Sequence, residues 1–123
     1  MKLPPVKIVH SAVKVSSVEK SSKFFQEILG VKPAWTQADW GMVKSEGSTL
    51  ALIEANTEVH PPHIGFVVDQ KEDVNVFFEH FKKMGVKDMS EPKDHRDQSR
   101  SFYFKDNDGN QFEVLWIPEH LTR

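Results

Sequence analysis

The sequence contains no cysteine, which excludes disulfides, thiolate nucleophiles and zinc–thiolate sites. Any metal held by this chain must therefore use nitrogen and oxygen ligands. No apolar run is long enough to span a bilayer. The opening residues, MKLPPVKIVH, lack the apolar stretch of a secretion signal. Nor is there an excess of charge of either sign. A formal net charge of −2 gives no electrostatic case for nucleic acid or an anionic membrane surface as partner. These absences fit a cytoplasmic protein. What is present is ordinary for a globular chain. Its 123 residues, 38% hydrophobic and 28% charged, suffice for a single domain, 1–123, with a core of its own.

Against that background one segment occurs twice. Residues 10–32 read HSAVKVSSVEKSSKFFQEILGVK, and residues 63–87 read HIGFVVDQKEDVNVFFEHFKKMGVK. Each copy opens on a histidine, runs through a β-rich stretch, crosses a helix bearing a Phe-Phe pair and ends on Gly-Val-Lys. A second echo follows, with Lys44-Ser-Glu-Gly47 before one terminal strand and Lys105-Asp-Asn-Asp-Gly109 before the other. A repeated supersecondary unit that twice begins with a metal-capable side chain sets the organisation of the chain. The two modules span approximately 5–55 and 62–118.

In chain order, Val6–Val15 reads as a strand, with Val9, Val13 and Val15 on one face and His10, Ala12 and Lys14 on the other. Ser16 and Glu19 have capping-box spacing. The helix that follows runs to about Leu29, with Phe24, Phe25, Ile28 and Leu29 as its expected apolar stripe, and Gly30 is a natural C′ residue. Strands are expected near Lys32–Thr36, Trp40–Lys44 and Thr49–Glu54. The polar, proline-bearing link Asn56–Pro62 leads into a strand over His63–Val68. Asp69 and Glu72 suggest a second capping box. Val74, Phe77, Phe78, Phe81 and Met84 keep helical spacing up to Gly85. A sixth strand is expected near Val86–Met89, a seventh over Arg100–Lys105 and an eighth over Asn110–Ile117, the last two joined by the Asn107-Asp-Gly109 turn. The order is β-α-β-β-β twice. Each helix buries its stripe on one sheet face, and strand parity assigns His10, His63, Tyr103 and Glu113 to the opposite face.

Two imidazoles and a carboxylate form a facial triad, with positions left open for substrate oxygen or water. His10, His63 and Glu113 are accordingly the expected ligands of one divalent ion, which Fe, Mn, Ni, Co or Zn could each supply. Glu54 is a candidate additional ligand. Pairing Gly47 with Gly109 makes Ala51 the counterpart of Glu113, so Glu54 falls with Leu50 and Leu52 on the wrong face, and an exposed strand end is preferred. A one-residue difference in turn length would reverse that. His60, His80, His95 and His120 read as solvated. Lys93, Arg96 and Arg100 are candidates to hold an anionic substrate group, as against a solvated loop. Trp35, Trp40 and Met42 are candidates for an apolar pocket wall, as against core or dimer packing.

The stretches HSAVKVSSVEKSSKFFQEILGVKP, HIGFVV and SFYFKDNDGNQFEV resemble the vicinal oxygen chelate superfamily, which includes glyoxalase I, bleomycin-resistance proteins, fosfomycin-resistance enzymes and extradiol dioxygenases. The last stretch is similar to a family run of Tyr-Phe-x-Asp-Pro-Asp-Gly-Asn with its following glutamate, Asn107 standing in place of the proline. The resemblance implies an α+β glyoxalase-like fold of two βαβββ modules whose mixed sheets form a cup around the metal. By motif position it gives the metal roles to His10, His63 and Glu113. The stretch KDHRDQSRSFYF looks like fosfomycin-resistance thiol transferases, which implies a potassium-loop role for Lys93 and substrate contact for Tyr103. Asp97 and Ala12, however, replace a serine and a threonine of that group.

The function expected on these grounds is a metal-dependent enzyme. Its ion acts as a Lewis acid on a small oxygen-chelating substrate, with Tyr103 orienting that substrate. The alternative is a drug- or metabolite-binding protein without catalysis. A homodimer with shared sites is also expected, because the short, proline-stiffened link favours exchange of modules between chains. His10 would then come from one chain, and His63 with Glu113 from the other.

Overall fold

The computed structural model describes residues 2–56 and 61–119. Ten elements follow one another: β1 (Val6–Val15), α1 (Val18–Leu29), β2 (Lys32–Thr36), β3 (Trp40–Ser45), β4 (Ser48–Glu54), β5 (His63–Val68), α2 (Lys71–Lys83), β6 (Lys93–Asp94), β7 (Arg100–Lys105) and β8 (Gln111–Trp116). The repeat read from the sequence is thus a repeat of βαβββ modules, and the class is α+β. The chain falls into two compact units. One gathers Val9–His63 with the residues from Glu119, and the other gathers Ile64–Pro118 with the residues up to Ile8.

In the first unit the strand order is β2-β3-β4-β1. β1 runs parallel to β4, and β2, β3 and β4 are antiparallel. The second unit repeats the pattern as β6-β7-β8-β5, with β5 parallel to β8. The hairpin turns that precede β4 and β8 each need a left-handed residue. Gly47 (φ 70°) and Gly109 (φ 84°) supply it without a Cβ clash. Gly41 on β3 is required for space. A Cβ there would lie 2.7 Å from Val18 Cγ1 and 3.3 Å from the Trp35 carbonyl oxygen.

α1 seats on its sheet through Val18, Ser22 and Phe25, three residues at helical spacing, against Val15, Val31, Val43, Leu50 and Leu52. The expected stripe is therefore only partly right. Phe25 packs, but Phe24, Ile28 and Leu29 are 55%, 55% and 67% exposed. The buried line starts at Val18, and the Phe24–Ile28 line runs beside it around the helix. The cap also moves by one residue: Ser17, not Ser16, is the N-cap, accepting from the Lys20 amide at 3.2 Å. The second helix shifts likewise. Gln70 is its N-cap, and the Gln70 amide donates to Asp73 Oδ2 at 3.1 Å. Val74, Phe77 and Phe78 are buried and Phe81 packs beside them, while Met84 is exposed.

The expected sixth strand at Val86–Met89 is not formed. Met89 makes one bridge to Phe104, and β6 lies later, at Lys93–Asp94. Pro92 has no amide hydrogen to extend the ladder between them. The link expectation falls largely on residues 57–60, outside the described residues, as do His60 and His120.

Candidate metal and substrate site

His10 lies in the middle of β1, level with Thr49 on the parallel β4. It is 4% exposed, and its Nδ1 is 2.6 Å from Thr49 Oγ1. On the same face, the next row joins Ala12, Ala51 and Met42 across β1, β4 and β3. These residues pack with Ile53, Ala34, Trp35 and Trp40. Trp40 and Met42 thus belong to an apolar cluster on the His10 face, Met42 buried and Trp40 half-buried. The indoles of Trp35 and Trp40 meet edge to face at 4.1 Å, and Trp35 Nε1 is buried with no hydrogen-bond partner.

His63 is 7% exposed, and its Nδ1 is 2.7 Å from the Pro61 carbonyl oxygen. A carbonyl only accepts, so Nδ1 carries the proton and Nε2 keeps its lone pair. The two imidazoles belong to one compact unit, with ring centroids 5.6 Å apart and planes tilted by 39°. The pair is brought together within the single chain, whereas exchange of modules would draw His10 and His63 from two.

In the other unit Glu113 is 3% exposed. It lies on β8 between Gly65 of β5, which has no side chain to compete for space, and Tyr103 of β7. The half-buried Tyr103 phenol hydrogen-bonds to the Glu113 carboxylate. Burial first, and then the negative charge of Glu113, raise the phenol far above its ordinary pKa. In this setting the phenol donates its hydrogen bond to the Glu113 carboxylate. The repeat also accounts for the first module's missing carboxylate. Ala12 pairs with Ala51 as Gly65 pairs with Glu113, so Ala51 occupies the corresponding place. Glu54 pairs with Val15 at the far end of β4, and its carboxylate accepts from the Asn56 amide at 3.0 Å and side chain at 3.2 Å.

The cationic residues separate. Lys93 is exposed on β6 and Arg96 is exposed in the turn that follows. Arg100 shares its strand face with Phe102 and Phe104, which pack around α2. It donates to Asn75 of α2 at 2.9 and 3.2 Å and to Asp94 at 3.0 Å. The Arg100 hydrogen bond holds the Asp94 carboxyl below its usual range. Arg100 thus braces β7 against α2 and β6, on the strand face opposite Tyr103.

Two features escaped the sequence reading. His95 is not simply solvated. Its Nε2 is 2.6 Å from the buried Ser101 Oγ, on the strand face shared by Tyr103 and Glu113. Thr49 was not singled out either, although it stands two residues after its turn glycine, as Gln111 does in the other copy.

Comparison with known proteins agrees with this architecture. Residues 7–114 match the model of the Glyoxalase/Bleomycin resistance protein/Dioxygenase superfamily. A manganese-dependent 2,3-dihydroxybiphenyl 1,2-dioxygenase from Geobacillus genomosp. 3 is 29% identical over 118 residues, covering 92% of this chain. The chain spans only 37% of that relative's length. A probable trivalent organoarsenical cleaving enzyme from Bacillus subtilis (strain 168) is 29% identical over 120 residues, 90% of this chain and 80% of the relative. Among solved structures, methylmalonyl-CoA epimerase from Mycobacterium tuberculosis shares the fold with a TM-score of 0.76 at 12% identity, covering 98% of this chain and 95% of that one. The glyoxalase-like fold expected from the sequence is the fold observed, and the chain belongs to the Glyoxalase/Bleomycin resistance protein/Dioxygenase superfamily.

Proposed function

We propose that this chain is a metal-dependent enzyme in which His10, His63 and Glu113 together hold one divalent cation. The observation that carries the reading is one of burial. Among the described residues, the buried ionisable side chains are His10, His63 and Glu113. The other buried polar residues there carry only hydroxyls: Ser22, Thr49, Ser99 and Ser101. Burying ionisable groups is costly unless charge and hydrogen bonding compensate. Two imidazoles and a carboxylate compensate one another around a cation, and as a donor set they suit Fe, Mn, Ni, Co or Zn. Manganese is the first ion to test, because the dioxygenase relative depends on it.

A cation so held supplies Lewis acidity to a substrate that chelates through one or two oxygens. The chain's own residues do the rest. Tyr103, beside the Glu113 carboxylate, orients the substrate. Trp40 and Met42 offer an apolar wall to the remainder of a small substrate. Of the chemistries named for the two relatives, a vicinal diol fits better than an organoarsenical. Trivalent arsenic is a soft centre that prefers thiolate, and this chain has no cysteine.

The test is turnover of 2,3-dihydroxybiphenyl with oxygen, before and after removal of metal by a chelator. Turnover should be lost with the metal and return when manganese is restored. Turnover that survives complete metal removal would contradict the reading.

A further inference from the structure

We propose that Thr49 is the positioning residue of His10, its hydroxyl oxygen accepting the Nδ1 proton so that Nε2 keeps its lone pair and faces the cation. Thr49 Oγ1 and His10 Nδ1 are 2.6 Å apart, both residues are buried, and the two stand level on adjacent parallel strands. Ligation of the proposed cation by His10 assigns the proton. A hydroxyl can accept or donate, but if it donated to Nδ1 the remaining proton of a neutral imidazole would sit on Nε2. His10 would then offer no lone pair from either nitrogen. His63, its neighbour at 5.6 Å, donates its Nδ1 proton to the Pro61 carbonyl oxygen. Thr49 gives His10 the same form, so the pair present matching nitrogens. A β-branched threonine in a strand also has a stiff χ1, which holds the plane of the His10 ring.

The assignment rests on the proposed metal site, but the tautomer itself can be read on the metal-free chain. The experiment uses 15N-labelled, chelator-treated full chain at a pH where histidine is neutral. Long-range proton–nitrogen spectra report which ring nitrogen of His10 carries the proton. The wild type should show Nδ1–H, Thr49→Val should show a mixture or Nε2–H, and Thr49→Ser should restore the wild-type form. Manganese titrated into the same three proteins should bind about 10–100-fold more weakly to Thr49→Val, with Thr49→Ser close to wild type. An Nε2–H form in the wild type, or an unchanged tautomer in Thr49→Val, would overturn the assignment. Wild type that shows Nδ1–H yet binds none of manganese, iron, nickel, cobalt or zinc would instead overturn the metal reading and leave the role of Thr49 standing.

Discussion

Replacing Glu113 by alanine is expected to lower manganese affinity by more than about 100-fold, since even the hydrogen-bonding partners of metal ligands contribute about 10–100-fold. Glu113 is the one buried carboxylate among the described residues and the only anionic member of the proposed set. Glu113→Gln should lose affinity as well. It keeps the size of the side chain and its ability to accept from Tyr103, but not the charge. Tyr103→Phe should retain the metal, because the phenol touches the carboxylate from the side of β7 and is not itself a proposed ligand. Titration calorimetry on chelator-treated proteins reads all three. Equal affinity in wild type and Glu113→Ala would remove Glu113 from the site.

The second large effect concerns stability. Phe102→Ala should cost about 3–5 kcal/mol, the range for deleting a buried aromatic side chain. Phe102 is 0% exposed at the centre of the second unit's core. Its ring meets Phe78 at 5.4 Å and Phe81 at 5.5 Å, both edge to face, and it also packs beside Phe104 at 6.2 Å. The surrounding rings are held on α2 and β7 and cannot collapse fully into the space, so a cavity remains. Phe24→Ala makes the control. That ring is 55% exposed on α1, and its loss should change stability far less. Urea unfolding measures both. Equal midpoints for the two variants would contradict the assignment of the core.

Much of this was legible in the sequence because strands have a strict period of two. Parity alone put His10 with Ala12, and Tyr103 with Glu113, on one face each, and the repeat supplied the topology. The same parity already placed Arg100 with Phe102 and Phe104, toward α2. Grouping it with Lys93 and Arg96 as a cation flanking the loop hid that signal. Helix stripes are less determinate. A shift of one residue in the start of α1 decides whether Phe24 or Val18 lies on the sheet, and the capping chemistry of Ser16 and Ser17 is nearly equal. Thr49 could not be found from spacing. The parallel pairing of β1 with β4 brings together residues 39 positions apart, and only register shows that it faces His10. His95 was missed for a similar reason, because its loop returns to lay the ring against Ser101.

The measurement that bears most directly on the proposed metal site is the metal content of untagged, purified protein by mass spectrometry, alongside that of His63→Ala. Three ligands with open positions call for about one divalent ion per chain in the wild type and a background level in the variant. A folded wild-type protein without divalent metal, or a variant carrying as much as the wild type, would contradict the account.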